Sequence, residues 1–143
     1  MDHTLSAIGE RVAGQDNHCT AEPLFVVFQK HRIYGINLEY EPDFVWVDTE
    51  GDFCEADDRQ HRILERMEER GRDTGRWERL GYVDTDRFVT ACFTEAAAQA
   101  FIDARRHNLN KPFIYVESLY RNHEMIAVRH SLLGAAPEKA EAA

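Results

Sequence analysis

Leu24–Phe25–Val26–Val27–Phe28 is an unbroken run of β-branched and aromatic residues opened by Pro23, and it predicts a strand. Arg32–Ile33–Tyr34–Gly35–Ile36 predicts a second strand returning from the first, although Lys30–His31 between them lacks the Gly or Asn that a tight primed turn prefers. Phe44–Val45–Trp46–Val47 predicts another strand, closed by the turn formers Asp48–Thr49–Glu50–Gly51–Asp52. Arg76 to Val83 and Arg87 to Phe93 predict an antiparallel hairpin around Asp84–Thr85–Asp86, and Phe113–Ile114–Tyr115–Val116 predicts a final strand.

Helical spacing separates these runs. Leu5, Ile8 and Val12 suit a short helix, so residues 1–22 are expected to be a short helical or flexible arm. Asp57 and Asp58 suit a first turn, where acids complement the helix dipole, and that helix should run to about Arg70 with Gly71 as its stop. Its apolar stripe of Ile63, Leu64 and Met67 is thin, so most of its surface should face water. Thr94 caps a helix to about His107 with Ala98, Phe101 and Ile102 turned to the core. Asn122 caps a last helix packed through Met125, Ile126, Val128, Leu132 and Leu133 and stopped at Gly134. Residues 135–143 should be a disordered tail. Hairpins interrupt any βαβ alternation, which predicts one α+β domain over residues 23–134: a mainly antiparallel sheet of about five strands with three helices largely on one face.

Composition narrows the class. The chain has 143 residues, 43% of them apolar, enough for one domain with a sizeable core. No apolar run approaches the roughly 20 residues a membrane helix needs. Met1–Asp2–His3 carries no basic leader and no long apolar segment follows, so the expected place is the cytoplasm. Cys19, Cys54 and Cys92 form no CxxC pair, and Cys92 sits in an apolar run as a small core residue.

Charge changes the picture most. The net charge is −9, and between Ile33 and Asp58 lie nine acids with no Lys or Arg: Glu39, Glu41, Asp43, Asp48, Glu50, Asp52, Glu55, Asp57 and Asp58. Arg59 to Leu80 then has seven arginines against five acids, and Arg105 to Gly134 leans basic as well. This polarity bears on partners rather than fold.

Candidate chemistry is sparse. Asp48, Glu50 and Asp52 suggest a calcium loop, but the template's Gly and Glu positions hold Phe53 and Arg59, so an acidic turn is the better reading. The seven histidines form no HxH or HExxH, and no metal or other cofactor is expected. Glu117, Tyr120, Arg121 and His123 could bind an anion or supply acid–base groups for a small hydrolase or nucleic-acid-modifying enzyme. The same residues also make a plain strand-to-helix turn. No GxSxG, Walker A loop or GxGxxG is present, and a non-enzymatic role is favoured.

The acidic segment contains Tyr34, Tyr40, Phe44, Trp46 and Phe53. The plain reading is a solvated acidic loop with its aromatics in the core; the sharper one makes Glu39, Glu41, Asp43, Trp46, Asp48, Glu50 and Asp52 the candidate partner-binding residues, a negative surface with an aromatic anchor for a basic partner. The partner would be a host protein with a basic surface, such as a nucleic-acid-binding complex. Direct nucleic-acid binding is disfavoured, because phosphates need a concentrated positive surface.

Gly81–Tyr82–Val83, Ala91–Cys92–Phe93–Thr94, His107–Asn108–Leu109, Ile114–Tyr115–Val116–Glu117–Ser118 and Tyr120–Arg121–Asn122 together resemble small proteins carried by phages and prophages. Arg32–Ile33–Tyr34–Gly35–Ile36 and Phe44–Val45–Trp46 fit the same pattern, which covers about Leu24 to Gly134. The resemblance implies no activity and transfers no catalytic residue. It implies a setting: an accessory protein of a mobile element in a bacterial cytoplasm, of a kind that commonly binds host machinery such as CRISPR effectors and defence nucleases. A virion structural or assembly role is the remaining alternative.

Overall fold

A computed structural model describes residues 1–136. The elements run α1 (Leu5–Gly14), β1 (Pro23–Ile36), a 3-10 turn (Leu38–Tyr40), β2 (Asp43–Asp48), α2 (Asp58–Glu69), β3 (Trp77–Cys92), α3 (Glu95–Arg105), β4 (Phe113–Ser118) and α4 (His123–Ala135). The fold is α+β, with a four-stranded sheet in the order β2-β3-β1-β4. β1 pairs antiparallel with β4, Pro23 opposite Ser118, and β2 pairs antiparallel with β3, Asp43 opposite Tyr82.

Four strands and four α-helices replace the expected five and three. The strands are fewer because both expected hairpins are continuous, β1 of 14 residues and β3 of 16, and the additional helix is α1 in the N-terminal segment. The supposed turn residues Lys30–His31 and Asp84–Thr85–Asp86 have no positive φ. They serve cross-strand pairing instead. Lys30 Nζ meets Asp86 Oδ1 at 2.6 Å, Thr85 Oγ1 donates to the His31 carbonyl at 3.2 Å, and Arg32 grips Asp84. Opposite charges directly across a ladder stabilise strand pairing, whereas a two-residue primed turn needs positive φ at its centre.

The chain forms two compact units, one made of Met1–Lys30 with the segment from Asp86 onward, the other of His31–Thr85. In the first, Phe25, Val27, Ala98 and Ile102 are buried together, and Val89, Cys92, Phe101, Ile114 and Val116 pack against them. Each large side chain in such a position contributes roughly 1.5–3 kcal/mol. Burial pushes the Cys92 thiol pKa up, as suits an unreactive core residue. The N-terminal segment contains a capped helix: Thr4 Oγ1 accepts from the Ala7 N–H at 3.3 Å, and Val12 is buried. A Cβ at Gly9 would fall 1.9 Å from the Leu132 carbonyl oxygen, so α1 and α4 meet backbone to backbone there. The expected disordered tail lies, beyond Ala136, outside the described residues.

In the second unit α2 packs on β2 around Trp46, Val47 and Leu64. Asp57 caps α2 through a capping box with Gln60, the Asp57 carboxylate accepting from the Gln60 N–H at 2.7 Å. Gly71, at φ +66°, ends it. Among the described residues no helix is long and apolar enough to cross a membrane.

Candidate functional site

The nine acids of the segment divide into two sets. Asp48 is 8% exposed, accepts from the Glu50 N–H at 3.2 Å and pairs with Arg76 at 3.1 Å. Glu55 pairs with Arg32, Asp57 caps α2, and Asp58 opens its first turn. These four are spent within the fold. Glu39, Glu41 and Asp43 are exposed at the start of β2, Glu50 and Asp52 are exposed beyond its end, and none has an ion pair among the described residues. A strand of six residues separates these groups by roughly 16 Å. Trp46 is only 2% exposed, and its Nε1–H donates to Glu65 Oε1 at 2.7 Å, so it is a core residue and not an exposed anchor.

The anchor position belongs to Tyr40. It is 81% exposed, at the tip of the turn joining β1 to β2, flanked by Glu39 and Glu41 with Leu38 and Phe44 also partly exposed. The turn is tied by three hydrogen bonds: Glu39 N–H to Asn37 Oδ1 at 3.0 Å, Tyr40 N–H to the Asn37 carbonyl at 3.1 Å and Glu41 N–H to the Leu38 carbonyl at 3.1 Å. Glu41 sits at φ +52°, a left-handed conformation that costs a non-glycine residue on the order of 1 kcal/mol. The hydrogen bonds hold the backbone of the turn that carries Tyr40.

Behind this tip, Arg32 organises the second unit. Its Nε and Nη2 bind Asp84 at 2.7 and 2.9 Å, its Nη1 binds Glu55 Oε1 at 2.8 Å, and its guanidinium lies 3.7 Å over the Tyr82 ring. The Tyr34 hydroxyl donates to the same Glu55 oxygen at 2.6 Å. The hydrogen bonds to Asp84 hold the Arg32 pKa well above its ordinary value. Burial pushes the Glu55 pKa up, but hydrogen bonds from Tyr34 and Arg32 and the charge of Arg32 outweigh it and leave the carboxyl below its usual range. Burial, reinforced by Glu55, raises the Tyr34 pKa to about 12, so its hydroxyl keeps its proton through the ordinary pH range. This cluster cross-links strand and loop.

Glu117, Tyr120, Arg121 and His123 form the strand-to-helix turn. Ser118 Oγ accepts from the Tyr120 N–H at 3.2 Å, Asn122 caps α4 by accepting from the Met125 N–H at 3.2 Å, and Arg121 takes φ +65°. All four side chains are exposed, and the only contact between any of them among the described residues is the Arg121 guanidinium 5.2 Å over the Tyr120 ring. Among the described residues no group of three His, Cys, Asp or Glu side chains is placed to hold a metal ion.

One surface escaped the sequence reading. In the first unit Phe28 contacts Phe88, Phe113 and Tyr115, with ring centroids 6.4, 5.8 and 6.2 Å away, and Phe88 and Tyr115 are 60% and 52% exposed. The signal was the period-two spacing of Phe113 with Tyr115, and of Phe28 with Val26, once β1 and β4 are placed in register. No protein-family model, curated protein or solved structure matches the chain.

Proposed function

We propose that this chain is a non-enzymatic binding protein that docks on a basic surface of a host protein through the turn Leu38–Asp43. Tyr40 is the anchor and Glu39, Glu41 and Asp43 are the charged rim. The observation that carries this reading is an aromatic side chain 81% exposed at the tip of a strained, hydrogen-bonded turn between unpaired carboxylates. An exposed aromatic ringed by charge is the arrangement of an interface hot spot awaiting its pocket. The carboxylates would steer association and fix orientation. The resemblance to phage-borne proteins supplies the setting, an accessory protein acting in a bacterial cytoplasm. A nucleic-acid-handling complex such as a defence nuclease or CRISPR effector offers the basic groove that such a tip would fit.

The test is capture from a bacterial lysate by the immobilised protein, compared with a variant carrying Glu39→Gln, Glu41→Gln and Asp43→Asn. The expected result is a bound protein that is released between about 0.1 M and about 0.5 M salt and missing from the variant, because exposed charge pairs are screened over that range. Capture that is indifferent to both salt and neutralisation would remove the tip from the binding surface.

A further inference from the structure

The second unit carries another docking surface of opposite sign. On α2, Arg59, Arg62 and Arg66, followed by its C-cap Arg70, fall within an arc of roughly 80° at 100° per residue, along about 16 Å of helix. All four are exposed, and none has an ion pair among the described residues. Beside them runs a channel made of two adjoining cavities, one walled by arginines and the other mainly apolar. One, of about 250 Å³, is lined by Ile63, Arg66, Met67, Arg70 and Arg72. The other, of about 220 Å³, shares Ile63 and Met67 and continues to Leu64 and Trp77. Gly71 makes the corner possible: its positive φ turns the chain so that the Arg72 N–H donates to the Met67 carbonyl at 2.8 Å, which brings Arg72 back to the cavity wall.

We infer that this channel binds an acidic peptide segment of a partner protein, one that carries a large apolar side chain beside its carboxylates. Arginine forks suit carboxylates, which they bind in pairs of parallel hydrogen bonds. Ile63, 45% exposed, and the pliable Met67 provide a floor for the apolar side chain. The same features argue against a nucleic acid strand. A phosphate chain makes no use of Ile63 and Met67, and Trp77 is the one aromatic in the channel lining, where a strand would need a series of them for successive bases. The unit as a whole holds fifteen acids against eight arginines, so the arginine arc is a local positive feature within a negative field, suited to a segment with a few carboxylates. The Tyr40 turn is a neighbour, since Leu38 shares a cavity with Thr74 and Trp77, but the charges invoked lie on different elements, so the two proposals can fail independently.

The experiment is fluorescence anisotropy with the full chain at low salt. The probes are a fluorescein-labelled glutamate-rich peptide bearing a Leu at every fourth position, the same peptide with Ser in place of Leu, and labelled oligo(dT). The leucine peptide is expected to bind. Arg66→Gln with Arg70→Gln should weaken it about tenfold or more, as should Leu-to-Ser exchange in the peptide. Arg59→Gln with Arg62→Gln provides a second variant, and far-UV circular dichroism confirms that each is folded. Failure of the leucine peptide to bind, binding indifferent to both arginine pairs, or tighter binding of oligo(dT) would each overturn the inference, the last in favour of nucleic acid.

Discussion

The two units are built on the same two strands and use them in opposite ways. In the first, the alternating positions of β1 and β3 place Phe28 against Phe88, with Phe113 and Tyr115 beside them. In the second, the same alternation reaches Arg32 and Asp84, joined by Glu55, Tyr34 and Tyr82. The first unit holds its strands mainly by apolar and aromatic burial, with the Lys30–Asp86 pair at its margin. The second has a smaller apolar core and adds a charge network to it. Apolar burial offers no charge for salt to screen or protons to neutralise, whereas paired charges respond to both. The unit that depends on charge also presents two groups of exposed charge of opposite sign, acidic at Glu39–Asp43 and basic along α2.

The largest effect should come from the first unit's core. Phe25→Ala, at a fully buried site, is expected to cost about 3–5 kcal/mol by urea denaturation. Arg32→Ala should cost less, about 2–3 kcal/mol: it strands two carboxylates, but at a site where the arginine side chain is still 25% exposed. That loss should shrink when the urea series is repeated in high salt, and the Phe25 loss should not. Equal salt responses would erase the distinction between the units.

Acidity should separate them in direction. The Glu55 carboxyl lies below its unfolded value of 4.5, so its stabilisation is present above that value and is lost as the pH falls through the folded one. In the first unit the hydrogen bond and charge of Glu95 raise the His18 pKa above 6.5. Its contribution is complete below 6.5 and is lost as the pH rises through the raised value. A pH series of urea midpoints should show Glu55→Gln flattening the acid limb and His18→Gln the limb above neutrality. The smallest change in stability, within about 0.5 kcal/mol, is expected for Tyr40→Ala, because the side chain touches so little of the fold.

Local chemistry was readable where a single residue decides the structure. Thr94, Asn122, Asp57 and Gly71 mark their helix ends in the sequence as they do in the fold, because a cap depends on one side chain and its nearest amides. The long strands were not readable. Asp84–Thr85–Asp86 looks like a turn until Arg32, His31 and Lys30 stand opposite, and those partners lie more than fifty residues away. The candidate interface was half legible for the same reason. The acidic run announces itself, but only the fold separates Asp48 and Glu55, which arginines neutralise, from Glu39, Glu41 and Asp43, which face outward. Trp46 and Tyr40 are equally aromatic on paper. Burial alone tells the core residue from the tip.

Tyr40 is the residue on which the proposed function turns, and site-specific photocrosslinking probes it most directly. A photoreactive phenylalanine analogue placed at position 40, and as a control at position 115, would be expressed in a bacterial host. A covalent adduct to a basic protein from position 40, weakened when Glu39, Glu41 and Asp43 are neutralised, is the predicted result. No adduct from position 40, or one that survives neutralisation unchanged, would contradict it.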